Sequence, residues 1–142
     1  MIKIETNINI GVDKVWQMWT DPEAVVKWNQ ASEDWYCPRA TNDLRVGGKF
    51  DYTMSAKDGS NSFEFAGVYR KIEPTKTIEY NLTDGRRVIV GFDELEKEQT
   101  KVWEMFEAEK SHTKNQQREG WKAILLSFKR YCEESSRIGS DA

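Results

Sequence analysis

The chain has 142 residues, of which 38% are hydrophobic and 32% are charged, and its mean hydropathy of -0.76 excludes an integral membrane protein. This length is enough for one domain with a sizeable core, and no linker or repeat divides it, so residues 1–142 are expected to form a single domain. The 21 Lys and Arg against 24 Asp and Glu give a net charge of -3, which excludes the broad basic surface that nucleic acid binding requires.

The first 28 residues predict one strand followed by two short helices. Isoleucines alternate with polar residues over 2–10, which is the pattern of a half-buried strand. Apolar residues then recur at helical spacing over 12–19. Asp21 is a capping residue directly before Pro22, and proline is favoured in the first turn of a helix. A second helix is therefore expected to begin at Pro22 and to bury Trp28.

Residues 29–43 are predicted to be irregular. Loops of this length without regular structure are uncommon and often functional, so this segment is a candidate lid or cavity mouth, and a packed connector is the alternative. The loop contains Trp35 and Tyr36. Because exposed aromatic rings are costly, both are expected to be at least half covered.

Short turns separate a series of predicted strands in the middle of the chain. Apolar residues alternate with polar ones over 44–46, 50–54, 63–72, 78–82, 88–95 and 100–108. Gly47-Gly48 permits a sharp bend, and Asp58-Gly59 and Asp84-Gly85 are hairpin turns. Because the links are short, neighbouring strands are expected to pair antiparallel, in a curved sheet of about six strands.

One long helix is predicted at the end of the chain. Thr113-Lys114-Asn115-Gln116 is a capping box, in which the Gln116 side chain accepts from the Thr113 amide. The helical pattern continues to about Glu134, and residues 135–142 are expected to be a frayed tail. The predicted class is α+β, with the curved antiparallel sheet wrapped around this helix. Such layers do not close along their whole length, so a hollow that binds small apolar molecules is expected between them.

Two early segments carry a family resemblance: Val15-Trp16 with Trp19-Thr20-Asp21-Pro22-Glu23 and Trp28, and Asp43-Leu44-Arg45-Val46-Gly47-Gly48-Lys49-Phe50. Later pieces that agree in order and spacing are Gly67-Val68-Tyr69, Glu73-Pro74, Val102, Glu104, Phe106, Glu109, Gln117, Gly120-Trp121, Ile124-Leu125, Phe128 and Tyr131. Together they resemble the SRPBCC superfamily. Within it they are similar to the branch related to the C-terminal domain of the activator of the ninety-kilodalton heat-shock protein (Hsp90) ATPase.

The resemblance implies a helix-grip fold, similar to START domains and to the birch pollen allergen, with a ligand cavity between the sheet and the C-terminal helix. It also implies binding of lipids, sterols, polyketides or plant hormones and, in a few members, a cyclisation reaction. The co-chaperone relative carries an additional N-terminal domain that is not expected here, so its ATPase-activating role is not carried over.

Glu104 is the one candidate for a catalytic role. It shares a strand face with Val102 and Phe106, and if that face is interior, the carboxylate points into the cavity and desolvation raises its pKa. Trp103 and Met105 on the opposite face are also apolar, so the sequence leaves open which face is interior. A structural ion pair with an arginine is the alternative role for the carboxylate.

Aromatic side chains at matching strand positions, together with one face of the last helix, provide the candidate cavity wall. Tyrosine hydroxyls would supply the few polar anchors that orient an apolar ligand. Gly120 lacks a side chain where the cavity or another backbone comes close. The predicted ligand-binding residues are Trp28, Trp35, Tyr52, Phe65, Tyr80, Val90, Glu104, Phe106, Gly120, Trp121 and Ile124.

No metal or other cofactor is predicted. His112 is the single histidine and has only Glu109 near it, which favours a solvated residue at the helix entry. Cys37 and Cys132 match neither a metal nor a redox spacing and are expected to be reduced thiols. With no secretory signal or long apolar stretch, we expect a cytoplasmic location and no membrane insertion.

The preferred functional hypothesis is binding of a small hydrophobic ligand, such as a lipid, a polyketide or another aromatic or isoprenoid-like molecule. A cyclase or dehydratase that uses Glu104 and a tyrosine as acid and base is the first alternative. A co-chaperone-like protein-interaction module, with residues 29–43 as its contact surface, is the second. An apolar cavity favours binding, a buried carboxylate near a tyrosine favours catalysis, and a filled core with an exposed apolar patch favours a protein partner.

Overall fold

The computed structural model describes the backbone of residues 1–141 and the side chains of residues 1–135. Its elements in chain order are β1 (Ile2–Ile8), α1 (Val12–Thr20), α2 (Pro22–Trp28), β2 (Trp35–Asn42), β3 (Lys49–Ala56), β4 (Ser62–Glu73), β5 (Thr77–Leu82), β6 (Arg87–Glu96), β7 (Gln99–Phe106) and α3 (Lys114–Asp141). The strands form one antiparallel sheet in the order β1-β7-β6-β5-β4-β3-β2. This confirms the predicted α+β helix-grip class, with seven strands rather than about six.

The junction between α1 and α2 forms as the sequence predicts. The Asp21 carboxylate accepts from the backbone N–H of Glu23 at 3.0 Å, and Pro22 occupies the first turn of α2. The Trp28 indole N–H donates to the Met18 carbonyl at 2.9 Å and ties the end of α2 to α1. The two short helices therefore hold the Trp28 ring in the core.

The prediction that residues 29–43 are irregular is wrong, because 35–42 form the edge strand β2. The register of β2 against β3 shifts between Tyr36 and Arg39. Pro38 lies inside this irregularity, where its missing N–H costs no ladder hydrogen bond. Trp35 packs on Phe63 with ring centroids 5.7 Å apart, and Tyr36 is 41% exposed, so both rings are at least half covered as expected.

Residues 44–46, in contrast, form a turn and not the predicted strand. Gly47 has a φ of +83°, which only glycine adopts without strain, and it closes the turn before β3. Val46 is 65% exposed, so the alternation of apolar residues here does not reflect a buried face. The short apolar segment 44–46 is thus part of the turn that Gly47 closes, and not a strand.

The interior face of β7 is the face of Glu104. Val102, Glu104 and Phe106 are buried, whereas Trp103 and Met105 lie on the outer face and are half-buried. The alternation is regular because β7 lies between β1 and β6 and pairs with both along its length. This settles the question that the sequence leaves open.

The long helix α3 begins with the predicted capping box. The Thr113 amide donates to Gln116 Oε1 at 2.9 Å, and the Gln116 amide donates to Thr113 Oγ1 at 3.0 Å. The helix packs against β1, where the Lys122 ammonium donates to the Glu5 carbonyl. Its bounds are Lys114–Asp141, beyond the predicted end near Glu134. Apart from residue 135, the predicted frayed tail lies outside the residues whose side chains are described.

An aromatic cluster anchors α3 to the N-terminal helices. Phe128 is fully buried, and its ring meets those of Trp19 and Trp28 edge-on at 4.9 and 4.8 Å. Further up the helix, Trp121 stacks on Phe106 at 3.9 Å and 10°. Two separate aromatic contacts therefore hold α3 to the rest of the molecule.

The outer face of the sheet contains a tight contact at Gly91 on β6. A Cβ atom there would lie 1.8 Å from the Trp103 indole, so the ring can cover the strand only because residue 91 has no side chain. The Lys3 ammonium lies 5.7 Å from the centroid of the same ring.

We expect Gly91→Ala to destabilise the protein by about 1–3 kcal/mol, because Trp103 must leave its position on the strand. Urea unfolding measures the change. Asp93→Ala, an exposed change on the same strand, is the matched control and should alter stability by less than about 0.5 kcal/mol. If Gly91→Ala were as stable as the wild type, the close contact between residue 91 and the Trp103 ring would be contradicted.

Candidate ligand cavity

A cavity of about 420 Å³ lies between the inner face of the sheet and the first turns of α3. Strands β3, β4 and β5 each direct alternate side chains into it, β7 contributes Glu104, and α3 presents one face at i, i+4 spacing. The residues that line it are Trp19, Trp28, Asn29, Phe50, Tyr52, Met54, Phe63, Phe65, Tyr69, Ile78, Tyr80, Arg86, Glu104, Glu109, His112, Gln116, Gln117, Gly120, Trp121 and Ile124.

The cavity wall is mainly aromatic. Phe50 is central to it, with its ring 4.8 Å from Tyr80 and 5.8 Å from Phe65. Phe65 in turn meets Trp121 of α3 edge-on at 5.8 Å, so sheet and helix are joined by rings across one side of the cavity. Rings held this way by their neighbours provide a preformed apolar surface for a ligand.

Glu104 is the acidic group in the depth of the cavity. The residue is 4% exposed, and its carboxyl forms no hydrogen bond or ion pair within the described part of the chain. Its oxygens are not enclosed by the core and open on the cavity. Burial raises the pKa of Glu104 to about 8, so the group is mostly protonated at pH 7. Arg45, the arginine of the family motif, forms its ion pair with Asp43 at 2.9 Å instead.

Tyr69 belongs to a polar chain that leads from the cavity to α1. Its hydroxyl donates to Asn42 Oδ1 at 2.5 Å, and the Asn42 amide donates to the Thr20 carbonyl at 2.7 Å. Burial raises the pKa of Tyr69 to about 12. Burial raises the pKa of Tyr52 well above its usual value, and the neighbouring Tyr69 raises it further because it favours the protonated form of Tyr52.

Tyr80, by contrast, forms no hydrogen bond to any described residue. Burial raises its pKa well above the usual value, and the nearby Glu104 carboxylate raises it further. The guanidinium of Arg86 acts on Tyr80 in the opposite direction. The charges of both Glu104 and Arg86 therefore act on Tyr80 within the cavity wall.

The mouth of the cavity lies at the end of the sheet that carries the turns at 57–61 and 83–86 and the segment 107–113. Phe63, His112 and Gln116 are exposed there while also lining the cavity. Glu109 and His112 are 3.0 Å apart, and the Gln117 side chain donates to the Glu109 carbonyl at 3.1 Å. The rim is thus polar and ordered, and the interior is apolar.

The structure brings eight of the predicted ligand-binding residues together around the cavity. They are Trp28, Tyr52, Phe65, Tyr80, Glu104, Gly120, Trp121 and Ile124. Their role in binding stays a prediction. A Cβ atom on Gly120 would meet nothing within 4 Å, so this residue faces open space in the cavity wall.

Three predicted residues, Trp35, Val90 and Phe106, do not line the cavity. Val90 is fully buried in the core, and the ring of Phe106 is covered by the stacked Trp121 ring. Trp35 packs on Phe63 behind the mouth. The alternation of residues along a strand correctly predicts that Val90 and Phe106 point inward. It does not predict which inward side chains are covered by others.

Sequence reasoning misses the polar rim, and it also leaves out Phe50, Met54, Tyr69 and Ile78 of the inner wall. His112 is predicted to be solvated at the helix entry, and Arg86 is not among the predicted ligand-binding residues, yet both line the cavity. Arg86 is held there by Asp84, which accepts from its Nε at 2.8 Å. Turn residues show no periodic pattern that indicates where their side chains point. The one feature of the sequence that could have indicated these residues is their position at the end of the sheet where α3 begins.

No three His, Cys, Asp or Glu side chains converge as metal ligands in the part of the chain that the structure describes. Cys37 and Cys132 are free and buried. Burial raises the pKa of both thiols, which makes them poor nucleophiles. Across the described helices, none combines the length and apolarity that a membrane crossing requires.

Comparison with known proteins places this cavity in a family. The family model of Activator of Hsp90 ATPase homolog 1-like protein (AHSA1) matches residues 9–133. The chain belongs to this family. The AHSA1-like assignment confirms the SRPBCC-type resemblance, and the match runs from the end of β1 through most of α3.

Solved structures support the AHSA1-like assignment. The solution structure of the AHSA1-like protein from Aeromonas hydrophila has 41% identity and a TM-score of 0.86, covering 95% of this chain and 94% of that one. A protein from Cytophaga hutchinsonii has 42% identity and a TM-score of 0.80, with coverage of 96% and 94%. A protein from Nitrosomonas europaea, at 18% identity and a TM-score of 0.76 over 96% of both chains, shares the fold alone. No curated protein matches the sequence.

Proposed function

We propose that this AHSA1-like protein reversibly binds one small hydrophobic molecule in the cavity between its sheet and α3. The observation that carries the proposal is a 420 Å³ space with a largely aromatic wall, left open in a chain whose remaining core is packed. Close packing is the rule in protein interiors, and an apolar hollow of this size is the usual form of a ligand site.

The size of the cavity restricts the ligand. A volume of about 420 Å³ is near the lower end of the range for sites that take drug-sized molecules. A compact ring system or a single short chain fits this space better than a lipid with two acyl chains. The aromatic wall favours ligands that offer a flat face.

Native mass spectrometry of freshly purified protein tests whether a small molecule accompanies the chain. A quantitative test uses the neutral probe N-phenyl-1-naphthylamine with wild type and Gly120→Leu. Because a side chain at 120 enters open space, the Leu variant is expected to fold normally and to weaken probe binding at least tenfold.

Glu119→Leu is the matched control, since it adds the same side chain to the exposed side of the same helix. It should leave probe affinity within about twofold of the wild type. Equal binding by wild type and Gly120→Leu would show that the probe does not enter the cavity, and absence of binding to the wild type would contradict the proposal.

Acid–base catalysis in the same cavity is the second candidate function. The observation that favours it is the buried carboxyl of Glu104, whose pKa burial raises to about 8 and which lies one row of the sheet from Tyr80. Dehydration or cyclisation would use Glu104 as the acid. Recovery of a chemically unchanged ligand after incubation distinguishes a binding protein from an enzyme.

The protein-interaction alternative is less well supported. Its proposed contact surface, residues 29–43, is largely strand β2 paired to β3, and the core is not filled. For cellular location, buried thiols at Cys37 and Cys132 that form no disulfide fit a reducing compartment, and the cytoplasm is proposed on that ground.

A further inference from the structure

Two polar groups interrupt the apolar interior of the cavity, and the sheet register places them on neighbouring rows. Glu104 of β7 is opposite Val90 of β6, and Tyr80 of β5 is opposite Val88 of the same strand. The two valines between them are short and fully buried. The longer side chains of Glu104 and Tyr80 therefore extend over this valine floor from both sides, into the same part of the cavity.

This part of the cavity contains hydrogen-bond donors that have no acceptor among the described residues. At neutral pH the Glu104 carboxyl and the Tyr80 hydroxyl each offer a proton, and neither donates to any described residue. Tyr52 differs from them because the neighbouring Tyr69 hydroxyl already favours its protonated form. A buried donor without an acceptor is costly, more so than a lone pair without a donor. Both donors therefore face the cavity, where an acceptor atom of a bound molecule can pair with them.

We propose that Glu104 and Tyr80 form a specificity site that accepts the uncharged carbonyl oxygen of a flat aromatic ligand, an inference that rests on the proposed binding function. One carbonyl oxygen has two lone pairs and can receive both protons. The rings of Phe50, Phe65 and Trp121 stand around the same space and match a flat ligand face.

A carboxylate ligand fits this site poorly. The described cation that lines the cavity beside Tyr80 is Arg86, and it lies at the mouth, already paired with Asp84 at 2.8 Å. An anion placed beside Glu104 would find Arg86 as the described lining cation, but the charge of Arg86 is already balanced by Asp84, and a buried charge without its own partner is strongly unfavourable. The site therefore selects an uncharged polar group over an anionic one.

Three naphthalenes that differ in one substituent test the inference: 2-acetylnaphthalene, 2-ethylnaphthalene and 2-naphthoate. Quenching of the cavity tryptophans measures each affinity at pH 7. For the wild type we expect the acetyl compound to bind at least tenfold tighter than the ethyl compound, because the ethyl group leaves both donors unpaired. We expect 2-naphthoate to bind more weakly than the acetyl compound.

Variants assign this preference to the two residues. The acetyl-to-ethyl affinity ratio should fall to within about threefold of one in Glu104→Leu and should be largely restored in Glu104→Gln, whose amide is again a donor. Tyr80→Phe should lower the ratio several-fold. Met105→Leu, on the outer face of the same strand, is the matched control and should leave the ratio unchanged.

The outcomes separate the inference from the proposed function. A wild-type ratio near one, with both uncharged naphthalenes bound, overturns the carbonyl site and leaves hydrophobic binding intact. Tightest binding of 2-naphthoate overturns the preference for an uncharged group. Failure of all three compounds to bind overturns the proposed function, and an unchanged ratio in Glu104→Leu overturns the role of Glu104.

Discussion

Glu104→Gln is expected to stabilise the protein by roughly 4 kcal/mol at pH 8 and to leave its stability almost unchanged at pH 4. The reason is the burial of an ionisable group without a charged partner. Glu104 is 4% exposed, and its pKa rises from the ordinary 4.5 to about 8 in the folded protein. Between these two values the folded state binds a proton that the unfolded state has lost.

The sign of the effect follows from proton linkage. Because the folded-state pKa of Glu104 is raised, its favourable contribution is fully present below pH 4.5 and is lost as the pH rises to about 8. Within this window the free energy of unfolding should fall by about 1.4 kcal/mol per pH unit from this group alone. Glutamine has a similar shape and no ionisable proton, so the variant lacks this dependence.

Urea unfolding of wild type and Glu104→Gln at pH 4.5, 6, 7 and 8 measures the difference. Glu98→Gln, at an exposed turn, is the matched control and should change stability by less than about 0.5 kcal/mol at every pH. A stability difference between wild type and Glu104→Gln that stays constant from pH 4.5 to 8 would mean that Glu104 is ionised in the folded protein.

Phe128→Ala is expected to destabilise the protein by about 3–5 kcal/mol, a large part of the stability of a domain this size. Phe128 is fully buried on α3, and its ring meets the edges of Trp19 and Trp28 at 4.9 and 4.8 Å. Removing the ring leaves a void among large, rigid neighbours that cannot collapse into it. The contact that anchors α3 to α1 and α2 is lost as well.

Thermal or urea unfolding gives the magnitude. Leu126→Ala is the matched control on the same helix, because Leu126 is 41% exposed and contributes little to the core. Its effect should be below about 1 kcal/mol. Comparable losses in the two variants would show that the aromatic cluster does not carry the packing of α3.

Local chemistry makes the ends of the helices predictable. Thr113 with Gln116, and Asp21 with Pro22, each satisfy backbone groups through side chains a few residues away, so the sequence contains the whole interaction. Strand β2 is not predictable in this way. Pro38 and the bulge beside it break the alternation, and the strand exists because β3 offers it an edge.

The cavity shows the same division between local and tertiary information. Regular alternation identifies Glu104 and Tyr80 as residues of possible inner faces, but only the paired sheet decides which face of β7 is interior. Burial behind a neighbour removes Phe106 from the cavity, since the Trp121 ring stacks on it. Arg86 lines the cavity from a turn, where no periodic pattern predicts the direction of its side chain.

At Gly120, the space available to a ligand and the stability of the folded protein make opposite demands on the side chain. Glycine inside a helix costs about 1 kcal/mol relative to alanine, and a methyl group here would meet no atom within 4 Å. Alanine would therefore strengthen α3 without a clash, and each larger side chain would narrow the chamber further. Substitutions at this position that are selected or designed for greater stability would therefore reduce the cavity volume. This is a stability–activity trade-off located at a single residue.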